Sequence, residues 1–134
     1  MGNVQVPVAT VPDSRDVSLT IPAKPDYLVL ARLALAAVCR LTPLSPEEVA
    51  DLKLAVTEAA ADFVDEKAAD DEEARVSFSF RLEETRLVLV LEGAHAEVPS
   101  SEQELGRAII DATVDECDFA PGRTRLVKQL QTPS

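Results

Sequence analysis

Ser45-Pro46-Glu47-Glu48-Val49-Ala50-Asp51-Leu52-Lys53-Leu54-Ala55-Val56-Thr57-Glu58-Ala59-Ala60-Ala61-Asp62-Phe63 is the stretch on which the fold of this chain turns. Ser45 is an N-cap, Pro46 fills the first helical position and Glu48 stands at N3, so the segment opens with a capping box. Leu44 and Val49 complete a hydrophobic staple around it. Val49, Leu52, Val56, Ala59, Ala60 and Phe63 fall on one stripe, wide enough to bury that side of the helix against a sheet. The spacing predicts a helix to about Asp65. The following Asp65-Glu66-Lys67-Ala68-Ala69-Asp70-Asp71-Glu72-Glu73 is too acidic to pack and reads as a solvated loop or a frayed helix end.

Upstream, Tyr27 to Leu41 is a second helical pattern, with Leu30, Leu33, Ala34, Ala37, Val38 and Leu41 apolar and only Arg32 and Arg40 charged. A helix apolar around most of its girth is either sandwiched between layers or partly exposed at a subunit contact, and both readings stand. Val17-Ser18-Leu19-Thr20-Ile21 alternates apolar with polar and stops at Pro22, the pattern of a half-buried strand. Residues 1 to about 16, interrupted by Pro7 and Pro12, read as a mobile leader.

Downstream, Val76, Phe78, Phe80 and Leu82 alternate with polar partners, and after Glu83-Glu84 the run Leu87 to Leu91 is continuously apolar, as in a strand covered on both faces. The two form a hairpin. A helix follows Pro99, with Ser100 and Gln103 as a weaker capping box, Leu105, Ala108, Ile109 and Ala112 as its expected buried stripe, and its end near Glu116. Pro121-Gly122 marks a turn, and Thr124 to Leu130 makes a closing strand. The order β, α, α, β, β, α, β predicts an α+β two-layer sandwich, with helices on one face of a mixed, mostly antiparallel sheet. A single domain over residues 17–131 is expected.

At 134 residues with 46% apolar content the chain has enough apolar surface for a core. Its 24 acidic against 13 basic residues give a net charge of −11, which repels phosphate backbones and anionic membranes and argues against direct nucleic-acid or membrane binding. Of the four glycines, Gly2 lies in the leader and Gly93, Gly106 and Gly122 stand far apart, so no P-loop, Rossmann fingerprint or kinase glycine loop can be written. Val6 stands where a myristoylation signal needs Ser or Thr. Cys39 and Cys117, without a secretory or membrane-spanning segment, indicate a reduced, cytoplasmic protein, and no His neighbours either cysteine to make it a nucleophile. His95 is alone in the chain, which leaves a zinc site without a ligand set.

Glu58 and Asp62 are four residues apart and project from one helix face, with Asp51 and Asp65 to either side. Two readings compete: a solvated acidic face, common in so anionic a chain, or a pair of carboxylates offset by a hard divalent cation.

Leu19-Thr20-Ile21-Pro22-Ala23, Leu30-Ala31-Arg32, Asp51-Leu52-Lys53-Leu54-Ala55-Val56-Thr57-Glu58-Ala59, Leu105 to Glu116 and Gly122 to Lys128 together resemble the SpoIIAB/RsbW anti-sigma factors, serine-protein kinases of the GHKL ATPase superfamily. The resemblance covers about Leu19 to Leu130. It implies that Glu58 is the N-box general base toward a serine hydroxyl and that Asp62, where the family has Asn, is the Mg²⁺ ligand beside ATP. It further implies that Asp62, Glu92, Gly106 and Thr124 are the nucleotide-contacting positions and that Arg32 lies on the partner surface; a snorkelling cation is the alternative for Arg32. Three departures bear on ATP. Asp62 adds negative charge beside a triphosphate; Glu92-Gly93-Ala94-His95-Ala96 falls where the family has its Asp-x-Gly-x-Gly adenine motif; and Glu97-Val98-Pro99-Ser100-Ser101-Glu102-Gln103-Glu104 replaces the glycine-rich lid with acids. The expected function is that of a bacterial regulator of transcription in stress response. The resemblance implies a homodimeric anti-sigma factor that sequesters a sigma factor and is released by a STAS-domain anti-anti-sigma partner, with ATP binding weakened or lost. The alternatives are an active ATP- and Mg²⁺-dependent serine kinase acting on that STAS partner, and a pseudo-ATPase interaction module in another complex.

Overall fold

The computed structural model describes residues 15–64, 74–94 and 100–130. The leader up to residue 14, the acidic run 65–73 and the stretch 95–99 with His95 lie outside the described residues. The strands are β1 (Arg15–Pro22), β2 (Arg75–Leu82), β3 (Arg86–Gly93), β4 (Glu116–Ala120) and β5 (Arg123–Gln129). The helices are α1 (Leu28–Cys39), entered through a 3₁₀ turn at Pro25–Tyr27, α2 (Pro46–Ala60) and α3 (Ser100–Thr113).

The five strands form one sheet in the order β1-β2-β3-β5-β4. The α+β two-layer architecture expected from the sequence is the one adopted, and every described pairing is antiparallel, so the sheet is not mixed. Alternation fixes its faces. Ile21, Val76, Phe78, Phe80, Leu89 and Leu91 point inward and join Leu52, Val56 and Ala59 of α2 and Leu35 of α1 in one core. The opposite face carries no helix among the described residues. Leu87–Leu91 is therefore covered by a second layer on one side only, although Val88 is buried on the other face as well. That outer face gathers Arg81, Arg86, Arg123 and Arg125 around a shallow groove of about 430 Å³. Arg81 pairs there with Asp16 at 2.9 Å and Arg86 with Glu83 at 2.6 Å.

The start of α2 follows the capping box closely. Glu48 N–H donates to Ser45 Oγ at 3.1 Å, and Ser45 N–H donates to Glu48 Oε1 at 3.0 Å, satisfying donors that a helix start leaves open. Lys128 of β5 reaches Glu48 at 3.8 Å and Asp115 at 3.9 Å, tying the last strand to this helix start. At its other end α2 stops at Ala60, five residues short of the expected Asp65. Asp62 N–H donates to Ala59 O at 3.2 Å and Phe63 N–H to Ala60 O at 2.9 Å, and this tightened turn carries both side chains inward instead of around the helix.

Two further expectations are corrected. The third helix ends at Thr113, short of the expected Glu116, and Glu116–Ala120, absent from the expected order of elements, is an edge strand hairpinned onto β5 through Pro121-Gly122. Gly122 has φ +73°, which explains a glycine at that turn. The buried stripe of α3 is also different. Gly106, Ile110 and Val114 face the interior, whereas Leu105, Ala108 and Ala112 are exposed. Gly106 carries no apolar side chain, so an apolar count passes over the residue at the centre of the buried face. Among the described residues no helix is long and apolar enough to cross a membrane.

Ser45→Ala is expected to lower stability by about 1 kcal/mol in urea unfolding at neutral pH. The Ser45 N–H holds the Glu48 carboxyl below its ordinary value. The stabilisation from ionised Glu48 is therefore full above the unfolded-chain pKa of about 4.3 and disappears as pH falls through the lower folded value. Unfolding curves of wild type and Glu48→Gln should accordingly converge below that range.

Candidate functional site

The last turn of α2 and the first half of α3 form the walls of a small cleft lined by Glu58, Asp62, Glu102, Gln103, Gly106 and Arg107. Glu58 reaches it from the last turn of α2 and is half-buried, while Asp62 stands in the turn beyond and is only 5% exposed. Glu102 comes from the first turn of α3 and is exposed.

The separation of the two walls is set at Gly106. A Cβ placed there would lie 3.1 Å from Glu58 Oε1, so the α3 backbone sits directly against the Glu58 carboxylate. A larger residue would require the Glu58 carboxylate to move aside. The space left has a volume of about 80 Å³, well below the roughly 300 Å³ at which ligand clefts usually begin.

Arg107 is the cation of this cleft, and the sequence reading did not select it. Its guanidinium stacks over the Phe119 ring, with the carbon 4.3 Å from the ring centroid. Its Nε is buried with no hydrogen-bond partner among the described residues. The signal that finds it is the alternation Cys117-Asp118-Phe119, which reads as a strand and sets Phe119 across from the inward-facing Thr124.

The structure brings Glu58, Asp62 and Gly106 together and leaves three other candidates elsewhere. Glu92 is exposed on the outer face of the sheet, where it lies 3.7 Å from Arg123, because even-numbered positions of β3 point away from the helices. Thr124 is buried on the inner face of β5 between Leu91 and Phe119 and does not line the cleft. Arg32 is half-buried on α1 and donates to Thr57 Oγ1 at 3.5 Å, one residue from Glu58. Thr57 in turn donates to Lys53 O at 2.8 Å.

Gly93, from the segment at the adenine-motif position, has a structural role here. A Cβ would lie 2.9 Å from the Arg75 carbonyl oxygen and 3.4 Å from Phe63, and the Gly93 N–H donates to Gly122 O at 3.1 Å. Neither cysteine is primed as a nucleophile: burial pushes both thiols up, with Asp111 adding to the rise at Cys117.

Measured against a nucleotide triphosphate and its Mg²⁺, the described cleft does not fit. Its volume is too small, and Glu58, Asp62 and Glu102 line it with carboxylates that repel a triphosphate. Arg107 is the one cation among its lining residues.

A family model described as the histidine kinase-like ATPase domain matches residues 21–129. The serine-protein kinase RsbW of Bacillus subtilis (strain 168) is 31% identical to this chain over 102 residues, covering 75% of this chain and 64% of that protein. The protein of the same name from Bacillus pumilus is 33% identical over 104 residues with the same coverage, and that from Listeria innocua is 30% identical over 101 residues. The chain thus spans slightly under two thirds of the length of these relatives.

Gly106→Val is expected to destabilise the fold by about 1–3 kcal/mol through overpacking against Glu58, read by denaturant unfolding. Pairing it with Glu58→Ala should recover part of that loss, because the opposing carboxylate is then gone.

Proposed function

The chain belongs to the histidine kinase-like ATPase domain family, and from that premise we propose that it acts by holding a protein partner and not by phosphoryl transfer. In this reading it is an anti-sigma factor that sequesters an RNA polymerase sigma factor in the cytoplasm as a homodimer. A STAS-domain anti-anti-sigma protein releases it. The domain responsible runs over residues 17–131.

The observation that carries the proposal is the uncovered apolar face of α1. Ala31, Leu35, Val38 and Cys39 are buried against the sheet and α2, whereas Val29, Leu30 and Leu33 remain exposed, Leu33 at 61%, and Leu41 in the turn after the helix is exposed beside them. A contiguous apolar helix face left to solvent costs free energy that a partner interface recovers. Arg32 lies on the same helix between this face and α2, within 3.5 Å of Thr57, and gives the partner surface a cationic edge. The cleft supports the same reading from the other side, since three acids and about 80 Å³ oppose ATP.

A second reading is favoured by one feature, the shared cleft of Glu58 and Asp62. An active serine kinase would use Glu58 to take the proton of the attacking hydroxyl and Asp62 to ligate Mg²⁺, with α3 displaced from α2 to admit the nucleotide. The relatives are themselves named serine-protein kinases.

Isothermal titration with ATP and Mg²⁺ up to millimolar nucleotide should give no saturable binding. Saturable, Mg²⁺-dependent binding that weakens in Asp62→Ala would favour the kinase instead. Affinity capture from the native host should recover a sigma factor and its STAS antagonist, and Leu33→Asp should lose the sigma factor without lowering the thermal midpoint. Failure to recover either partner overturns the anti-sigma reading.

A further inference from the structure

The helix α3 is apolar on two opposite faces. Gly106, Ile110 and Val114 pack inward, and half a turn away Leu105, Ala108, Ile109 and Ala112 repeat at i, i+3, i+4 and i+7 along the outside. Leu105 is 64% exposed, Ala108 and Ala112 are exposed, and Ile109 is half-buried. A single exposed Leu is ordinary on a protein surface, but a helical stripe patterned for burial that no described residue covers is not.

The edges of the stripe determine what can cover it. Glu102 flanks it on one side and Glu104 and Asp111 on the other, all three exposed, and no Lys or Arg is among the exposed residues of α3. A second copy docking stripe to stripe would bring these carboxylates together in a chain of net charge −11, and an anionic membrane would be repelled in the same way. An apolar ridge edged by carboxylates is complementary to an amphipathic helix with cationic flanks, packed as one helix against another.

We propose that the outward stripe Leu105, Ala108, Ile109 and Ala112 of α3 is a docking ridge for an amphipathic helix of another protein that carries Lys or Arg along its edges. The site is separate from the α1 face: α1 packs on α2 beneath β1 and β2, whereas α3 packs on the other flank of α2 toward β4. The proposal therefore holds whichever partner α1 takes.

The probe is a fluorescein-labelled helical peptide of about twenty residues, with Leu at i, i+3, i+4 and i+7 and Lys and Arg on both flanks, titrated against the full chain by anisotropy. Saturable binding is expected, weakened about tenfold or more by Leu105→Asp, with the thermal midpoint unchanged, and less than about twofold by Leu33→Asp. Reversing the edge with Glu104→Lys and Asp111→Lys together should weaken the cationic peptide and admit one with Glu flanks, a gain that a merely unfolded variant would not show. Three results overturn the proposal: equal binding of a cationic peptide whose Leu stripe is replaced by Ser, sensitivity to Leu33→Asp in place of Leu105→Asp, or a dimer in sedimentation that Leu105→Asp dissolves.

Discussion

The contact on which the functional part of this molecule depends is the approach of α3 to α2 at Gly106, where the space for one Cβ already touches the Glu58 carboxylate. Around that approach the cleft between the two helices holds about 80 Å³. Arg107, the next residue, lays its guanidinium over Phe119 of β4. Leu105, Ala108 and Ala112 lie on the opposite side of the helix and face solvent.

Electrostatics divides the molecule along its two layers. The outer sheet face holds Arg81, Arg86, Arg123 and Arg125, where Asp16, Glu83 and Glu92 lie within ion-pair distance of three of them. Such exposed pairs contribute little stability each, but they make this face close to neutral. The cleft in the helix layer, by contrast, brings Glu58, Asp62 and Glu102 together with Arg107 as the one cation of its lining. Negative charge there repels anions and attracts cationic groups, the reverse of the near-neutral outer sheet face.

Much of this was legible in the residues. The capping box at Ser45, the staple, the hairpin and the α+β layering follow from local rules that the structure obeys, and the co-location of Glu58, Asp62 and Gly106 followed from a family resemblance. What was not legible depended on long-range geometry. Phe63 was legible as a buried residue, but that it reaches the core beside Gly93 from a tight turn and not from a continuing helix has no local signal. Strand β4 was hidden because Glu116-Cys117-Asp118-Phe119-Ala120 follows a helical pattern without a proline or glycine to punctuate it, and only its alternation gives it away. Glu92 was misplaced for a related reason: strand parity, not proximity in sequence, decides which face a side chain takes. The buried side of α3 was assigned to its larger apolar residues, whereas contact with α2 selected the side carrying the smallest one.

The outward side of α3 has a physical content of its own. A stripe of Leu, Ala, Ile and Ala at helical spacing is the pattern of a face meant to be covered, and in this fold α2 covers the other side. The same holds for α1, where Val29, Leu30 and Leu33 lie opposite the residues that reach the core. Both outer helices of the layer are thus apolar on two sides, while α2 between them is flanked on both. A domain stabilised only for its own sake has no need of second apolar faces on its flanking helices, since polar residues there would raise solubility at no cost to the core. Their presence on both flanks leaves a central helix that fixes the spacing of two separated apolar ridges, and it is this spacing, not the interior of the domain, that the second faces serve.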